Sequence, residues 1–289
     1  MPPAELVAEL LTRCAFPPPG TPVELAVSGG PDSLALLVLV VAAGCPATAI
    51  HVDHGLRQGS DEEAAVVAAA AERFGAGFLS LRVAVPEGPN LEARARAARY
   101  AALPAGALTG HTADDQAETV LLNLLRGAAL DGLAGFDPDR RPLRALRRAE
   151  TTALCRAVAL APVTDPSNAD PRHRRNRVRS EVIPLLGAVA DRDVVPVLAR
   201  QADLLREDGA LLDRLAADLD PTDAASLAAA PPPLARRAVR RWLRSGPERH
   251  PPDAATVARV LAVARGEVVA TEVGGGRSVR RHAGRLVLG

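Results

Sequence analysis

The sequence predicts an α/β protein, in which a doubly wound, mostly parallel, five-stranded sheet precedes a smaller, mainly helical domain. Short apolar segments of strand length alternate with helical segments through residues 1–186, an order that is typical of parallel sheets. In residues 187–289 the strand pattern gives way to amphipathic helices. The 289 residues are 48% hydrophobic and 24% charged, which is enough apolar material to bury a core in both domains.

The elements follow from local patterns. Apolar runs predict five strands, at residues 23–27, 48–52, 78–83 and 107–110 and after Arg141-Pro142. Capping residues and acidic first turns mark the helices between them, at residues 34–41, 61–74, 90–103 and 113–126. The second domain is predicted to hold helices at residues 194–219, 234–243 and 254–264. A terminal hairpin is predicted where residues 268–273 and 278–288 flank three glycines.

Composition excludes several classes of protein. No uncharged apolar run reaches the roughly 18 residues that cross a membrane. The three cysteines are far apart, which argues against a disulfide framework or a cysteine-rich zinc site and favours a reducing cytoplasm. All 35 basic residues are arginine: 8 stand against 15 acidic residues in the first 135 positions, and 27 against 19 in the rest. This asymmetry predicts a polyanionic partner for the second part.

A small polar turn follows the first predicted strand. It reads Ser28-Gly29-Gly30-Pro31-Asp32-Ser33. Open α/β sheets bind ligands at the carboxyl ends of their strands, glycines let the backbone approach an anion, and N–H groups at a helix start hold phosphate oxygens. The turn matches neither a Walker A loop nor a GxGxxG loop. The plain alternative is an ordinary strand–helix turn in which Asp32 only caps the helix.

An acidic segment follows the fourth predicted strand and enters a helix. It reads Gly110-His111-Thr112-Ala113-Asp114-Asp115-Gln116-Ala117-Glu118-Thr119. Asp114 and Asp115 precede Glu118 by four and three positions, so their carboxylates can share a helix face with it. Because carboxylates are stable at any helix start, favourable helix electrostatics is the alternative to a binding site.

Basic residues supply candidates for phosphate binding. Two clusters are dense: Arg172, His173, Arg174, Arg175, Arg177 and Arg179, and then Arg236, Arg237, Arg240, Arg241 and Arg244. Guanidinium groups match phosphate geometry, although a solvated helix face explains an isolated cluster equally well. Arg96 and Arg99 lie on the helix before the fourth strand, where they either neutralise phosphate charge or lie on the surface. His51 and His54 lack the third ligand that would favour zinc.

Taken in order, these segments resemble known enzymes. The turn at residues 28–33 resembles the SGGxDS pyrophosphate loop of N-type ATP pyrophosphatases. Together with residues 51–57, 90–96, 110–119, 165–170 and 175–179, it is similar to the tRNA(Ile)-lysidine synthase family. The resemblance covers residues 20–186 and implies an adenine nucleotide alpha hydrolase-like fold. The chain departs from the family pattern at residues 101–106, which replace a longer segment, and we expect only the first accessory domain after residue 186.

The resemblance implies a ligase reaction. Enzymes of this family join lysine to C2 of cytidine 34 in the CAU anticodon of tRNA(Ile), and the product changes tRNA specificity from methionine to isoleucine. ATP first adenylates the cytidine with release of diphosphate, and lysine then displaces AMP. The implied cofactors are ATP and Mg²⁺, and the implied partners are tRNA(Ile) and free L-lysine. The oligomeric state stays open, a homodimer included.

The resemblance also assigns roles to residues. ATP binding falls to Ser28, Gly29, Gly30, Pro31, Asp32 and Ser33. Catalysis falls to Asp32, Arg96, His111 and Asp115. Lysine binding falls to Asp115 and Glu118, and tRNA binding to Arg175, Arg177 and Arg179. Mg²⁺ is assigned to Asp32 and Asp114.

Other functions remain open at this stage. A tRNA thiolase has the same loop, but sulfur transfer needs reactive or cluster-binding cysteines, and the three cysteines form no CxxC pair. A small-molecule ligase of the same superfamily would not need the arginine-rich second part. A tRNA-binding protein without catalysis would not need both the loop and the acidic segment.

Overall fold

The computed structural model describes residues 3–53, 55, 60–86, 88, 91–163, 170–244 and 252–289, with only the backbone described for residues 60, 61, 91–93 and 96. The chain divides into two compact units, Met1–Asp203 and Leu204–Gly289. The domain boundary that the sequence predicts after residue 186 stays a proposal. Among the described helices, none combines the length and apolar composition that crossing a membrane requires.

The first unit alternates strands and helices. Its strands are β1 (Val23–Ala26), β2 (Ala47–Asp53), β3 (Gly77–Arg82) and β4 (Leu108–Thr109). Its first helices are α1 (Pro3–Leu11), α2 (Pro31–Ala42), α3 (Ser60–Arg73), α4 (Leu91–Ala102) and α5 (Ala113–Leu125). Further along the chain lie α6 (Leu130–Leu133), α7 (Arg148–Ala157), α8 (Arg174–Arg177), a π-helical turn (Val178–Val182), α9 (Ile183–Ala190) and α10 (Val195–Ala217). The boundary between the units falls within α10.

The strands of the first unit pair in parallel, in the order β3-β2-β1-β4. From β1 the chain proceeds to β2 and β3 on one side and then returns to add β4 on the other. Ligands of open α/β sheets bind where the strand order reverses in this way, outside the carboxyl ends of the strands. The loops that follow β1 and β4 emerge at this position, so the topology brings the two sequence motifs to one edge of the sheet.

The parallel, doubly wound class is confirmed, but the prediction of a fifth strand in this sheet was wrong. Within the described residues the sheet has four strands. The segment beyond β4 runs beside it for a short distance, where the Thr109 N–H donates to the Arg140 carbonyl at 2.8 Å. Pro142 has no N–H with which to extend the ladder, and the chain turns into α7 at Arg148.

Helix α2 forms the centre of the core. Its residues from Ser33 to Val40 are all buried, and four of its leucines are fully enclosed, namely Leu34, Leu36, Leu37 and Leu39. A helix that is apolar on every side needs cover on every side, and α1, α3, α7 and the sheet pack against it. Each buried leucine stabilises the fold by about 1.5–3 kcal/mol, so the loop before α2 is held on a rigid element.

In its described residues, the second unit contains the C-terminal part of α10 and three further helices beside a small sheet. Its elements after α10 are α11 (Ala224–Ala229), α12 (Pro232–Arg244), α13 (Ala254–Arg265), β5 (Ala270–Gly274), β6 (Arg277–His282) and β7 (Arg285–Leu288). The sheet is antiparallel and three-stranded, where the sequence predicts a two-stranded hairpin. The predicted second strand divides at Ala283-Gly284, since both residues have positive φ, +48° and +78°, and turn the chain back.

Candidate active site

The loop between β1 and α2 is a tight turn made for a close approach of the backbone. Gly29 has a φ of +80°, in the left-handed region that favours glycine. The Ser33 hydroxyl donates to the Gly30 carbonyl at 2.9 Å and accepts from the Ser28 N–H at 3.2 Å. Pro31 starts α2, where a missing N–H breaks no helical bond. The loop therefore presents N–H groups at the accessible start of a helix that is otherwise buried, an arrangement that binds phosphates.

The loop after β4 lies directly against this turn. A Cβ atom placed on Gly110 would come within 2.5 Å of the Asp32 carbonyl oxygen and 2.9 Å of the Ser33 backbone nitrogen. A real Cβ does not approach backbone atoms so closely, so glycine at this position is what lets the two loops meet. The turn at residues 28–33 and the start of α5 consequently share one site.

Helix α5 adds two buried carboxylates. Asp115 closes a capping box, in which the Thr112 N–H and hydroxyl donate to its Oδ2 at 2.9 and 3.0 Å. One turn later, the side chain of Glu118 has no exposed surface, while that of Asp115 is 12% exposed. Buried charges are costly unless they are paired, so these carboxylates require cationic partners.

Arg148 supplies the partner that joins the two motifs. Its guanidinium donates to Asp32 at 3.3 Å, to Asp115 at 2.8 Å and to Glu118 at 3.0 Å. Thr151, one turn further along α7, donates to the other oxygen of Asp32. One cation therefore holds the carboxylate cluster (Asp32, Asp115 and Glu118) together. Sequence reasoning missed Arg148 because it lies outside the motifs, in a short arginine pair at a helix start.

Two of the three arginines that the sequence assigned to tRNA also contact this cluster. Arg175 Nε donates to Glu118 at 2.6 Å and its NH2 group to Asp115 at 3.2 Å, and Arg179 Nε donates to Glu118 at 2.7 Å. Glu118 is thus covered by three guanidinium groups. Arg177 instead pairs with Glu181 at 2.9 Å on the surface. The role of these arginines in tRNA binding stays a proposal.

Burial and pairing set the protonation of the carboxylate cluster. Burial raises the pKa of Asp32, which hydrogen bonds from Thr151 and Arg148 only partly offset. Burial also acts on Asp115 and Glu118, but there the arginines prevail and the pKa of each carboxyl is lowered. Desolvation disfavours the charged guanidinium of Arg148, yet Asp115, Glu118 and Asp32 together raise its pKa. Asp115, Glu118 and Arg148 are therefore charged at neutral pH.

Asp114 lies on the other side of the same helix start. Arg147 donates to its two oxygens at 3.0 and 3.1 Å, and the Arg148 backbone N–H donates at 2.8 Å. Burial opposes ionisation, but these hydrogen bonds lower the pKa of Asp114. Asp114 and Asp32 thus both contact Arg148, Asp114 through the backbone N–H and Asp32 through the guanidinium group.

The assignment of Mg²⁺ to Asp32 and Asp114 stays a prediction. In the described part of the chain, no group of three or more histidine, cysteine or acidic side chains is arranged to hold a metal. Mg²⁺ usually takes only one or two carboxylates and completes its shell with phosphates and water. Asp32, a half-buried carboxylate in the first turn of α2, would suit that mode.

The remaining predicted residues are distributed around this site. His111 belongs to the loop after β4, with Nδ1 2.8 Å from Thr109 Oγ1 and its ring 5.5 Å from that of Phe136. His51 is buried, with Nδ1 3.2 Å from the Val27 carbonyl oxygen. Arg96 belongs to α4, but its side chain lies outside the described residues, as do His54 and positions 165–169.

Known proteins are similar to this chain over most of its length. The family model for PP-loop domains matches residues 5–186, and that for the TilS substrate binding domain matches residues 223–287. The tRNA(Ile)-lysidine synthase of Rhodococcus opacus (strain B4) is 42% identical over 94% of this chain and 90% of its own length. That of Nocardia farcinica (strain IFM 10152) is 46% identical over 80% of this chain and 78% of its own length.

Solved structures support the fold. The U34-tRNA thiolase NcsA from Methanococcus maripaludis, described with its [4Fe-4S] cluster, superposes with a TM-score of 0.57 at 17% identity. The match covers 70% of this chain and 79% of the thiolase, and at this identity it speaks for the fold alone. With the PP-loop match and the relatives above, the chain belongs to the tRNA(Ile)-lysidine synthase family.

Proposed function

We propose that this chain joins lysine to C2 of cytidine 34 in the CAU anticodon of tRNA(Ile), with ATP as co-substrate. The observation that carries the proposal is the meeting of the loop after β1 with the carboxylates of α5 on one cation, Arg148. The loop after β1, which can bind the phosphates of ATP, therefore lies beside the ionised carboxylates of α5, which can bind an amine substrate. Family membership and the matched substrate binding domain support tRNA as the partner.

The first step is adenylation of the base. The C2 oxygen of cytidine bonds to the α-phosphorus of ATP, the bond from that phosphorus to the bridging oxygen breaks, and diphosphate leaves. Backbone N–H groups at the start of α2 stabilise the leaving diphosphate. Mg²⁺, when bound, neutralises phosphate charge, and Asp32 is the side chain that would hold it. We assign neutralisation of charge at the α-phosphate to Arg96.

The second step needs lysine with a neutral ε-amine. The amine nitrogen bonds to C2, the C2–O bond breaks, AMP leaves with that oxygen, and the amine loses a proton. Asp115 and Glu118 bind the lysine ammonium in exchange for an arginine contact. Because their pKa values are lowered, they are poor proton acceptors. Imidazole exchanges protons near neutral pH, so we assign the proton transfer to His111.

The test is lysine incorporation by the purified full-length chain. We expect labelled lysine to enter a CAU-anticodon tRNA(Ile) transcript only with ATP and Mg²⁺, with one diphosphate released for each lysine incorporated. A transcript carrying uridine in place of cytidine 34 serves as the control and should stay unlabelled. No incorporation under conditions in which a related synthase is active would contradict the proposal.

Variants of the carboxylate cluster separate catalysis from binding. We expect Asp32→Asn and Asp115→Asn each to reduce kcat/KM about 100-fold or more, because each replaces a carboxyl group of the proposed reacting site. Both should keep nearly normal affinity for tRNA, measured by filter binding. Glu72→Gln, on the exposed face of α3, is the control. An equal loss of tRNA affinity would make these carboxylates structural.

A tRNA thiolase is the rival function. Its chemistry needs thiolates or cluster ligands. Burial raises the pKa of both Cys14 and Cys155 to about 12, which leaves these thiols protonated at neutral pH. Cys45 is buried, and all three cysteines are free of disulfides. These surroundings favour the ligase reaction over sulfur transfer.

A further inference from the structure

A cavity of about 240 Å³ lies beside the carboxylate cluster, between α5 and the segment made of α8 and the π-helical turn. Its walls are apolar and consist of Leu122, Leu125, Val178 and Val182. Its rim is charged and consists of Arg126, Arg174, Arg177 and Glu181. This cavity has apolar walls and a basic rim, whereas the neighbouring carboxylate cluster is lined by charged groups. We therefore expect the two places to bind different parts of a ligand.

The cavity is continuous with the site along α5. Asp115, Glu118, Leu122 and Leu125 follow one another at spacings of three and four residues, so they form one stripe of the helix. Leu122 is about 6 Å from Glu118 along the helix axis, at roughly 1.5 Å per residue. An extended nucleic-acid chain that places one nucleotide at Glu118 therefore brings the next nucleotide over the cavity.

The segment made of α8 and the π-helical turn contacts both the carboxylate cluster and the cavity. Arg175 and Arg179 point to Glu118, whereas Arg174, Val178 and Val182 line the cavity. The change from α8 to a π-helical turn lies within this segment, and π-helical turns occur frequently at functional sites. One short segment thus contributes both to the carboxylate cluster and to the cavity.

The rim leaves positive charge available. Arg177 is neutralised by Glu181, through hydrogen bonds of 2.9 and 3.0 Å. Arg126 and Arg174 are exposed, and within the described part of the chain neither forms an ion pair. The cavity is smaller than the roughly 300–1,000 Å³ that drug-sized ligands occupy, so it suits a base with its ribose rather than a nucleoside triphosphate. Apolar walls accept the base, and the two arginines accept its phosphate.

We propose that this cavity binds a nucleotide adjacent to the target cytidine of the RNA substrate. Its base rests between Leu122 and Val178, and its phosphate contacts Arg126 and Arg174. The inference rests on the proposed function, because it requires an RNA strand whose target base enters the carboxylate cluster. Binding the neighbour one helical turn away keeps the target base splayed out of the anticodon stack.

The first test removes the basic rim. In the full-length chain, Arg126→Ala with Arg174→Ala should weaken tRNA binding about tenfold or more near 0.1 M salt. The slope of log affinity against log salt should fall by about one for each arginine. ATP binding, measured by calorimetry without RNA, should not change. Arg156→Ala, an exposed arginine on α7 outside the cavity, is the matched control.

The second test asks whether an RNA base enters the cavity. Anticodon stem-loop RNAs carry an abasic residue on one side or the other of the target cytidine. One of the two should bind the unaltered chain about fivefold or more weakly, in line with the loss of one stacked base. In Val182→Phe, which fills the slot, this penalty should vanish. If neither abasic RNA binds more weakly, no base occupies the cavity and the inference is wrong.

The outcomes distinguish this inference from the proposed function. If the unaltered chain incorporates no lysine, the proposed function fails. If it incorporates lysine and the double variant behaves like Arg156→Ala, only the cavity assignment fails. If the double variant keeps its tRNA affinity but sediments as a smaller species, the cavity contacts a second copy of the chain, which also overturns the inference.

Discussion

At the scale of single residues, Glu118 is the central carboxylate of the candidate site. It is a fully buried carboxylate that receives hydrogen bonds from Arg148, Arg175 and Arg179. Removing one side of a buried ion pair leaves the other side uncompensated, at a cost of about 3–5 kcal/mol. The network therefore links α5, α7 and the segment made of α8 and the π-helical turn.

Glu118→Gln should lower stability in a pH-dependent way. Because the folded-state pKa of Glu118 is lowered, its contribution is present above the ordinary carboxyl pKa of about 4 and is lost as pH falls through the lowered value. The unfolding midpoint of the unaltered chain should thus fall steeply in acid. The variant should unfold more readily at pH 7 and show a shallower acid dependence, as thermal denaturation monitored by circular dichroism would report.

The control for this prediction is Glu267→Gln. Glu267 pairs with Arg265 on the surface, at 2.5 Å, and solvent screens such pairs strongly. We expect little change in its unfolding midpoint at pH 7. If Glu118→Gln and Glu267→Gln were equally stable, the buried network would not contribute to folding.

At the scale of elements, the contact between the loops after β1 and β4 defines the site. It depends on Gly110, where any Cβ atom would collide with the backbone at Asp32 and Ser33. Helix α2 cannot shift away from residue 110, because its leucines are packed on all sides. A side chain at residue 110 would therefore displace the loop after β4, along with the start of α5.

Gly110→Ala is the corresponding prediction. We expect a loss of about 1–3 kcal/mol in the free energy of unfolding, from overpacking against a fixed neighbour, and weaker ATP binding. Gly106→Ala is matched to it: four residues earlier, a Cβ atom would meet nothing within 4 Å. Chemical denaturation and nucleotide titration of the two variants give the comparison. Equal behaviour would mean that the loops do not need this close contact.

The sequence predicts the alternating strands and helices from β1 to α5, since periodicity and capping are local signals, but it did not predict α1 and wrongly placed a fifth strand after Pro142. Helix α4 is predicted at residues 90–103 and observed at Leu91–Ala102. The site is only partly predictable: the two motifs name Asp32, Asp115 and Glu118, but their shared partner Arg148 is not in either motif. It pairs with Glu118 across 30 residues, and Arg179 does so across 61, and such separations depend on packing rather than pattern.

At the scale of the whole molecule, the arginine excess of the second part has two uses. Some of these arginines stabilise the second unit itself. Arg241 donates to the Ala216 carbonyl at the end of α10 at 3.0 Å, Arg281 to the Ala264 carbonyl at the end of α13 at 3.0 Å, and Arg237 pairs with Asp213. Others, such as Arg280 on β6, are exposed and available to a polyanion. The formal charge of the second part therefore overstates the positive charge that is accessible to an RNA partner.

Arg280→Ala tests this division. We expect tRNA affinity to fall and its salt slope to decrease by about one, because an exposed arginine on a substrate binding domain releases a counterion when it contacts phosphate. Arg265→Ala is the control, since Arg265 is engaged with Glu267. Filter binding at three or more salt concentrations measures both slopes. An unchanged slope for Arg280→Ala would exclude that residue from the RNA interface.

The cations around the carboxylate cluster are all guanidinium groups, and no lysine occurs anywhere in the chain. A guanidinium does not lose its proton in proteins, so none of these side chains can act as a nucleophile toward an activated base. Under the proposed function, the lysine substrate therefore competes with no side-chain amine of the chain for the activated base.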